Sequence, residues 1–147
     1  EMLEDKTEYW KVAEKYHIKE KLESTHKNYA IQGEICGPGV NKNPLGLKET
    51  EFFVFSIYDI NERHYLDVGD MLSITGSLGL KTVPIIKTGE FNYTLDELLK
   101  LTEGKYEGTN NAREGIIIRP VVETYSPALD GRLSIKVLNN QHLLSEK

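Results

Sequence analysis

The sequence predicts an α+β fold in which antiparallel sheets carry flanking helices. Three observations lead there. Runs rich in β-branched and aromatic residues at 29–36, 52–60, 116–118 and 133–138 read as strands. Stretches with helical spacing, near 7–23, 71–78 and 94–101, are interspersed among them. The connections between successive strands look short, which favours antiparallel pairing over long crossovers.

The elements follow in order. Tyr9, Val12, Ala13 and Tyr16 recur at i, i+3, i+4 and i+7, and so predict one amphipathic helix over about 7–23 with those residues on its packed face. Tyr29–Cys36 is a predicted strand, ended by Gly37-Pro38-Gly39 and Asn43-Pro44-Leu45-Gly46, whose residue types set turn dihedrals. From Phe52 to Ile60 both alternating faces are apolar, as in a central strand covered on two sides. Asn61-Glu62-Arg63 is a polar turn, and Tyr65-Leu66 a short partner strand. Met71, Ile74, Thr75 and Leu78 form a helix with Asp67 or Asp70 as cap and Gly79 as terminator. Val83–Ile86 is a short edge strand, because Pro84 cannot donate to a ladder. Thr94-Leu95-Asp96-Glu97 is a capping box opening another helix. Residues 105–113 are a polar loop, 116–118 a strand, 125–132 a turn region, 133–138 a last strand and 141–145 a helical tail.

Composition narrows the function. The chain has 147 residues, 28% charged and 39% apolar, with 18 Lys+Arg against 23 Asp+Glu and a net charge of −5. That balance argues against coating nucleic acid through bulk charge, while leaving room for a local basic groove. There is no long apolar run for a membrane span, and Glu1-Met2-Leu3-Glu4-Asp5 does not resemble a secretory leader. A single cysteine, Cys36, excludes an internal disulfide framework and a multi-cysteine zinc site. These features fit a cytoplasmic location and no membrane partner. The glutamate at position 1 suggests a piece of a longer chain. No phosphate-binding P-loop or dinucleotide fingerprint is present, and His17, His26, His64 and His142 lack metal-ligand spacing.

What remains are charges set in apolar strands: Glu34, Glu114, Arg119 and Lys136. A charge inside a sheet is costly unless paired or bound to a ligand. Two explanations stay open on spacing alone. One is an ion-pair network joining the two acids to Arg119 and Lys136. The other is a nucleotide pocket, with cations facing phosphates, acids facing ribose or metal-bound water, and an aromatic from Phe52–Phe55 stacking on a base.

The segment Glu114-Gly115-Ile116-Ile117-Ile118-Arg119-Pro120 resembles motif IV of the covalent nucleotidyltransferase superfamily of ligases and capping enzymes. Leu133-Ser134-Ile135-Lys136-Val137-Leu138-Asn139 resembles motif V. Gln32 to Gly39, followed by Asn43-Pro44-Leu45, resembles motif III of RNA ligases, and Phe52–Ile57 resembles the adjoining motif IIIa. The motifs stand in the superfamily's order over about residues 8–145. Together with the G-E-x-x-G-P-G-x-x-x-N-P element they resemble the ATP-dependent RNA ligase branch more than DNA ligases or capping enzymes.

The resemblance implies a partial nucleotidyltransferase domain, of the ATP-grasp-like ligase adenylation type, with residues 1–147 as its C-terminal portion. It implies ATP or AMP and Mg2+ as cofactors, and RNA with 5′-phosphate and 3′-hydroxyl ends as partner. In such enzymes a lysine attacks the ATP α-phosphate to form lysyl-AMP; AMP passes to the RNA 5′-phosphate, and a 3′-hydroxyl then seals the break. By resemblance, Glu34 binds ribose or orders a metal-bound water, and Phe55 stacks on adenine. Glu114 organises magnesium through water. Lys136 contacts the α-phosphate, and Arg119 assists with phosphates. All five are expected to converge on one cleft. The nucleophile motif K-x-D-G is absent from these 147 residues, Ser56 replaces the usual acid of motif IIIa, and Ser134 replaces a second lysine sometimes found in motif V. This chain alone is therefore expected to be inactive. The alternative is a non-catalytic nucleotide- or RNA-binding module derived from the ligase fold. An incomplete sheet would also expose apolar edges and favour self-association.

Overall fold

The alternation over 29–36 and 51–59 produces the antiparallel pair on which the first half of the chain is built. In the computed structural model, which describes residues 7–145, strand β1 (Tyr29–Cys36) pairs with β2 (Glu51–Asp59). On the other side of β2 lie β3 (His64–Tyr65), antiparallel, and β4 (Lys81–Thr82), parallel. β2 is thus the central strand that its two apolar faces predict. The chain divides into two compact units. The first comprises the described residues up to Asn43 together with Leu47–Pro84; the second comprises Pro44–Gly46 and the described residues from Ile85 onward.

Within the first unit, Val54 and Ile57 of β2 are fully buried against Met71, Leu78 and Leu80. Met71 belongs to helix α3 (Val68–Ser77), whose N-cap is Asp67 and beyond whose end Gly79 takes φ +61°. The predicted helix over 7–23 is instead two, α1 (Glu8–Lys15) and α2 (Ile18–Ser24). His17 sits between them in the left-handed region (φ 51°, ψ 44°), a conformation that no helical run continues through. Tyr9, expected on the packed face, is 77% exposed; Val12 alone of α1 is buried.

The edge strand expected at 83–86 lies two residues earlier. Val83 makes the last bond, its N–H donating to the Val54 carbonyl, and Pro84 has no N–H to extend the ladder.

The second unit is organised by antiparallel β5 (Gly115–Ile118) and β8 (Ile135–Leu138). Between them in sequence, a small hairpin of β6 (Tyr125–Ser126) and β7 (Gly131–Arg132) occupies what reads as a turn region. Helix α4 (Leu95–Thr102) opens with the expected capping box: Thr94 N–H and hydroxyl donate to the Glu97 carboxylate at 2.8 and 2.9 Å, and Glu97 N–H returns a bond to the Thr94 hydroxyl. Those bonds, first the one from the Thr94 backbone, hold the Glu97 pKa below the usual glutamate value. Helix α5 (Asn140–Ser145) closes the unit. Among the described residues, the fully buried apolar side chains all belong to the first unit, whereas the second buries Thr102 and Asn139 and exposes Ile117 and Ile135 on its two-stranded sheet.

Candidate functional site

The five residues singled out in the sequence divide between the units: Glu34 and Phe55 on the first, Glu114, Arg119 and Lys136 on the second. In the first unit the β1–β2 register slips by one residue. Gln32 faces Ser56 while the next residue, Gly33, faces Val54, so β2 carries one extra residue, Phe55. A β-bulge of this kind bends a strand and re-aims its side chain. Phe55 and Glu34 line the same cleft of about 770 Å³, with Gln32, Phe52, Tyr9 and Asn41.

Gly33 is needed at that point. A Cβ there would stand 2.5 Å from both the Phe52 ring and the Phe53 carbonyl. Phe52 in turn packs on Tyr16, ring centroids 6.4 Å apart. The ring forming the cleft wall is thus held over the glycine preceding Glu34.

The N-P part of the motif has a local explanation. Asn43 clips its loop shut: its side-chain amide donates to the Leu47 carbonyl at 2.8 Å, and Leu47 N–H donates back to its oxygen at 3.0 Å. In the second unit Asn111 donates to the Pro44 carbonyl at 2.8 Å. Cys36 is half-buried, and burial followed by the nearby Glu34 charge pushes its thiol pKa up, consistent with an inert side chain.

In the second unit, Ile117 faces Lys136 and Ile118 faces Ile135 across the β5–β8 ladder. Continuing that register brings Arg119 opposite Ser134, and Arg119 Nε donates to the Ser134 hydroxyl at 3.1 Å. Arg119 and Lys136 therefore share one face of the hairpin. Lys136 Nζ is ion-paired with Glu114. The two side chains are 53% and 49% exposed, and Glu34 is exposed as well. The expectation that these charges sit in a sheet interior is corrected here: Glu34, Glu114 and Lys136 are exposed, and Arg119 is half-buried.

Gly115 has a steric reason. A Cβ on it would collide with the Val137 carbonyl of the facing strand. Asn139, to which its place at the end of the motif V segment gives no role, is only 1% exposed and bonded to the segment that carries Glu114. Its signal in the sequence is a polar residue directly after an apolar strand, which ordinarily reads as a loop.

The family model for RNA ligase matches residues 2–138. The chain belongs to the RNA ligase family. It is similar to solved structures of a Naegleria gruberi RNA ligase. A lysine-to-alanine variant with ATP and Mn and the structure with PPi each share 30% identity at a TM-score of 0.80. So does a glutamate-to-alanine variant with AMP and Mn. Each alignment covers 92% of this chain and 40% of the ligase chain, so this chain spans about 40% of the length of those relatives. Among curated proteins none matches it. The fold expectation of mixed helices and antiparallel sheet in a partial ligase domain agrees with these findings. No helix among the described residues is long and apolar enough to cross a membrane.

Proposed function

We propose that this chain carries the nucleotide-recognition groups of an ATP-dependent RNA ligase. In the first unit, the cleft beside β1 and β2 takes the nucleoside: Phe55 stacks on the adenine, and Glu34 accepts hydrogen bonds from the ribose or from an ordered water. In the second unit, Lys136 and Arg119 present cations to phosphate oxygens. Lys136 acts as a compact ammonium, and Arg119 as a planar fork steadied by Ser134.

No group of three or more His, Cys, Asp or Glu side chains among the described residues could hold a metal ion directly. That donor set still fits Mg2+, which keeps several waters and is commonly held by one or two carboxylates plus substrate phosphates. Glu114 would be the carboxylate, acting through water. The bound cation would supply charge stabilisation at the phosphate oxygens.

The Glu114–Lys136 pair keeps both groups neutralised and half solvated. Exposed pairs of this kind contribute about 0–1 kcal/mol, so both groups can exchange their partner for phosphate and hydrated metal at small cost. The chain's own sequence holds no K-x-D-G, so it contributes binding and electrostatics rather than the covalent step. The parent activity is sealing of RNA 5′-phosphate to 3′-hydroxyl ends, in the cytoplasm. Open edges on the two-stranded sheet, with exposed Ile117 and Ile135, favour self-association.

The observation that carries this reading is the gathering of Glu34 and the bulge residue Phe55 on one cleft. Calorimetric titration of ATP and AMP, with Mg2+ or Mn2+, into the chain tests it. Removing a base–aromatic stack is worth roughly 1–3 kcal/mol, so Phe55→Ala should weaken binding by about 5- to 150-fold, and Glu34→Ala should weaken it too. Unchanged affinity in both variants would rule the reading out.

A further inference from the structure

Asn139 is the large polar side chain most deeply buried in the second unit, and its bonds run to the backbone that bears Glu114. Its side-chain amide donates to the Arg113 carbonyl at 2.9 Å, and its own N–H donates to the Glu114 carbonyl at 2.8 Å. Its side-chain oxygen accepts from Gln141 N–H at 3.0 Å, which caps α5. Glu114 N–H donates to the Tyr106 hydroxyl at 3.4 Å. The Arg113 guanidinium, meanwhile, donates to the carbonyls of Leu101 and Glu103 at the end of α4. Glu114 is thus held through both of its own peptide groups and through its neighbour, by partners drawn from α4, the 105–113 loop and the start of α5.

A helix cap alone does not account for this. Capping α5 requires an oxygen acceptor, which Asp, Ser or Thr supplies as well as Asn. The donor half of the Asn139 amide is spent on Arg113, outside the helix. Only a residue that both donates and accepts can tie the start of β5 to the start of α5, because ionised carboxylates donate nothing. The Glu114 side chain is half exposed and makes its ion pair at the surface, so its direction is set by its backbone and not by packing.

We infer that Asn139 is a positioning residue for Glu114: its buried amide fixes the backbone that aims the Glu114 carboxylate at Lys136 and at a hydrated divalent cation. The cation half of the inference rests on the nucleotide reading above; the Lys136 half does not.

The discriminating substitution is Asn139→Asp, which keeps the acceptor for Gln141 and loses the donor to Arg113. Asn139→Ser, whose short hydroxyl can cap but cannot span to Arg113, is the second variant. Two readouts are taken on the whole chain: the Lys136 side-chain ammonium resonance, and affinity for Mn2+–ATP by electron paramagnetic resonance titration. Protection of the Gln141 amide against hydrogen exchange reports the cap.

The expected result for Asn139→Asp is a protected Gln141 amide and a Lys136 resonance moved toward that of Glu114→Gln. Mn2+–ATP binding should weaken about tenfold or more, as for loss of an outer-shell partner of a metal ligand. Adding Glu114→Gln to Asn139→Asp should cost nothing further, since the two act through one carboxylate. An unmoved Lys136 resonance in a folded variant, or additive losses in the double variant, overturns the inference. So does unfolding of both variants, which would assign Asn139 to folding alone. A wild-type chain that binds no Mn2+–ATP refutes the nucleotide reading instead, and the Lys136 resonance then decides the positioning role by itself.

Discussion

The Glu114–Lys136 contact admits two origins that differ in energy. A structural ion pair exists to hold β5 and β8 together; a functional pair exists because each member has another partner to meet. The two side chains are 49% and 53% exposed, so solvent screens their attraction. Double-mutant cycles on such exposed pairs give about 0.2–1 kcal/mol. Domains of this size have unfolding free energies of about 5–15 kcal/mol, so a coupling near 0.5 kcal/mol is a small share. The cycle is Glu114→Ala, Lys136→Ala and the double variant, followed by urea unfolding. With a urea slope of about 1–3 kcal/mol per M, a coupling of 0.5 kcal/mol appears as a midpoint difference of about 0.2–0.5 M. Over the same set, affinity for Mg2+–ATP should fall by about tenfold or more, the loss of a charge-assisted contact. A coupling above about 2 kcal/mol together with undiminished nucleotide binding would refute the reasoning, because it would make the pair a strut.

Other outcomes follow from single features. Gly115→Ala should destabilise by about 1–3 kcal/mol, because the added carbon meets the Val137 carbonyl. Urea midpoints check this, and a stabilisation, as relief of unfolded-state entropy alone would give, contradicts it. Thr94→Ala should cost about 1 kcal/mol through loss of the capping box on α4, read from the same unfolding curves. Glu97 has a lowered pKa in the folded chain and the usual one when unfolded. Its stabilising contribution is therefore complete above the usual glutamate value and is lost as pH falls through the lower, folded value. Amide exchange in α4 should accelerate in that acidic window, and Glu97→Gln should flatten the response. Incubated with radiolabelled ATP and Mg2+, the chain should yield no covalent, amine-linked adenylate, for want of K-x-D-G. A labelled band on the washed protein would contradict that.

What was legible in the sequence is what local chemistry determines. The β1 strand matches its predicted limits and β2 is shifted by one residue; alternation and β-branching act within each segment and need no distant partner. The capping box at Thr94 and the helix stop at Gly79 are likewise local. The motif order along the chain carried the family, which the match over residues 2–138 bears out.

Pairing was not legible. The slip that makes Phe55 an extra residue on β2 is a relation between two strands and leaves no mark in either alone. The two-residue parallel strand at Lys81–Thr82 exists because β2 has an edge to offer there. His17 breaks one predicted helix into two through a left-handed backbone that its neighbours' periodicity does not reveal.

Exposure is the deepest divide. The sequence by itself determined that Glu34, Glu114 and Lys136 stand within or beside apolar strands. Only the tertiary structure decided that they face solvent, and that Asn139, a residue type usually outside, is sealed within. The physical reason is that burial belongs to packed layers, whereas a sequence states only which side chains share a face.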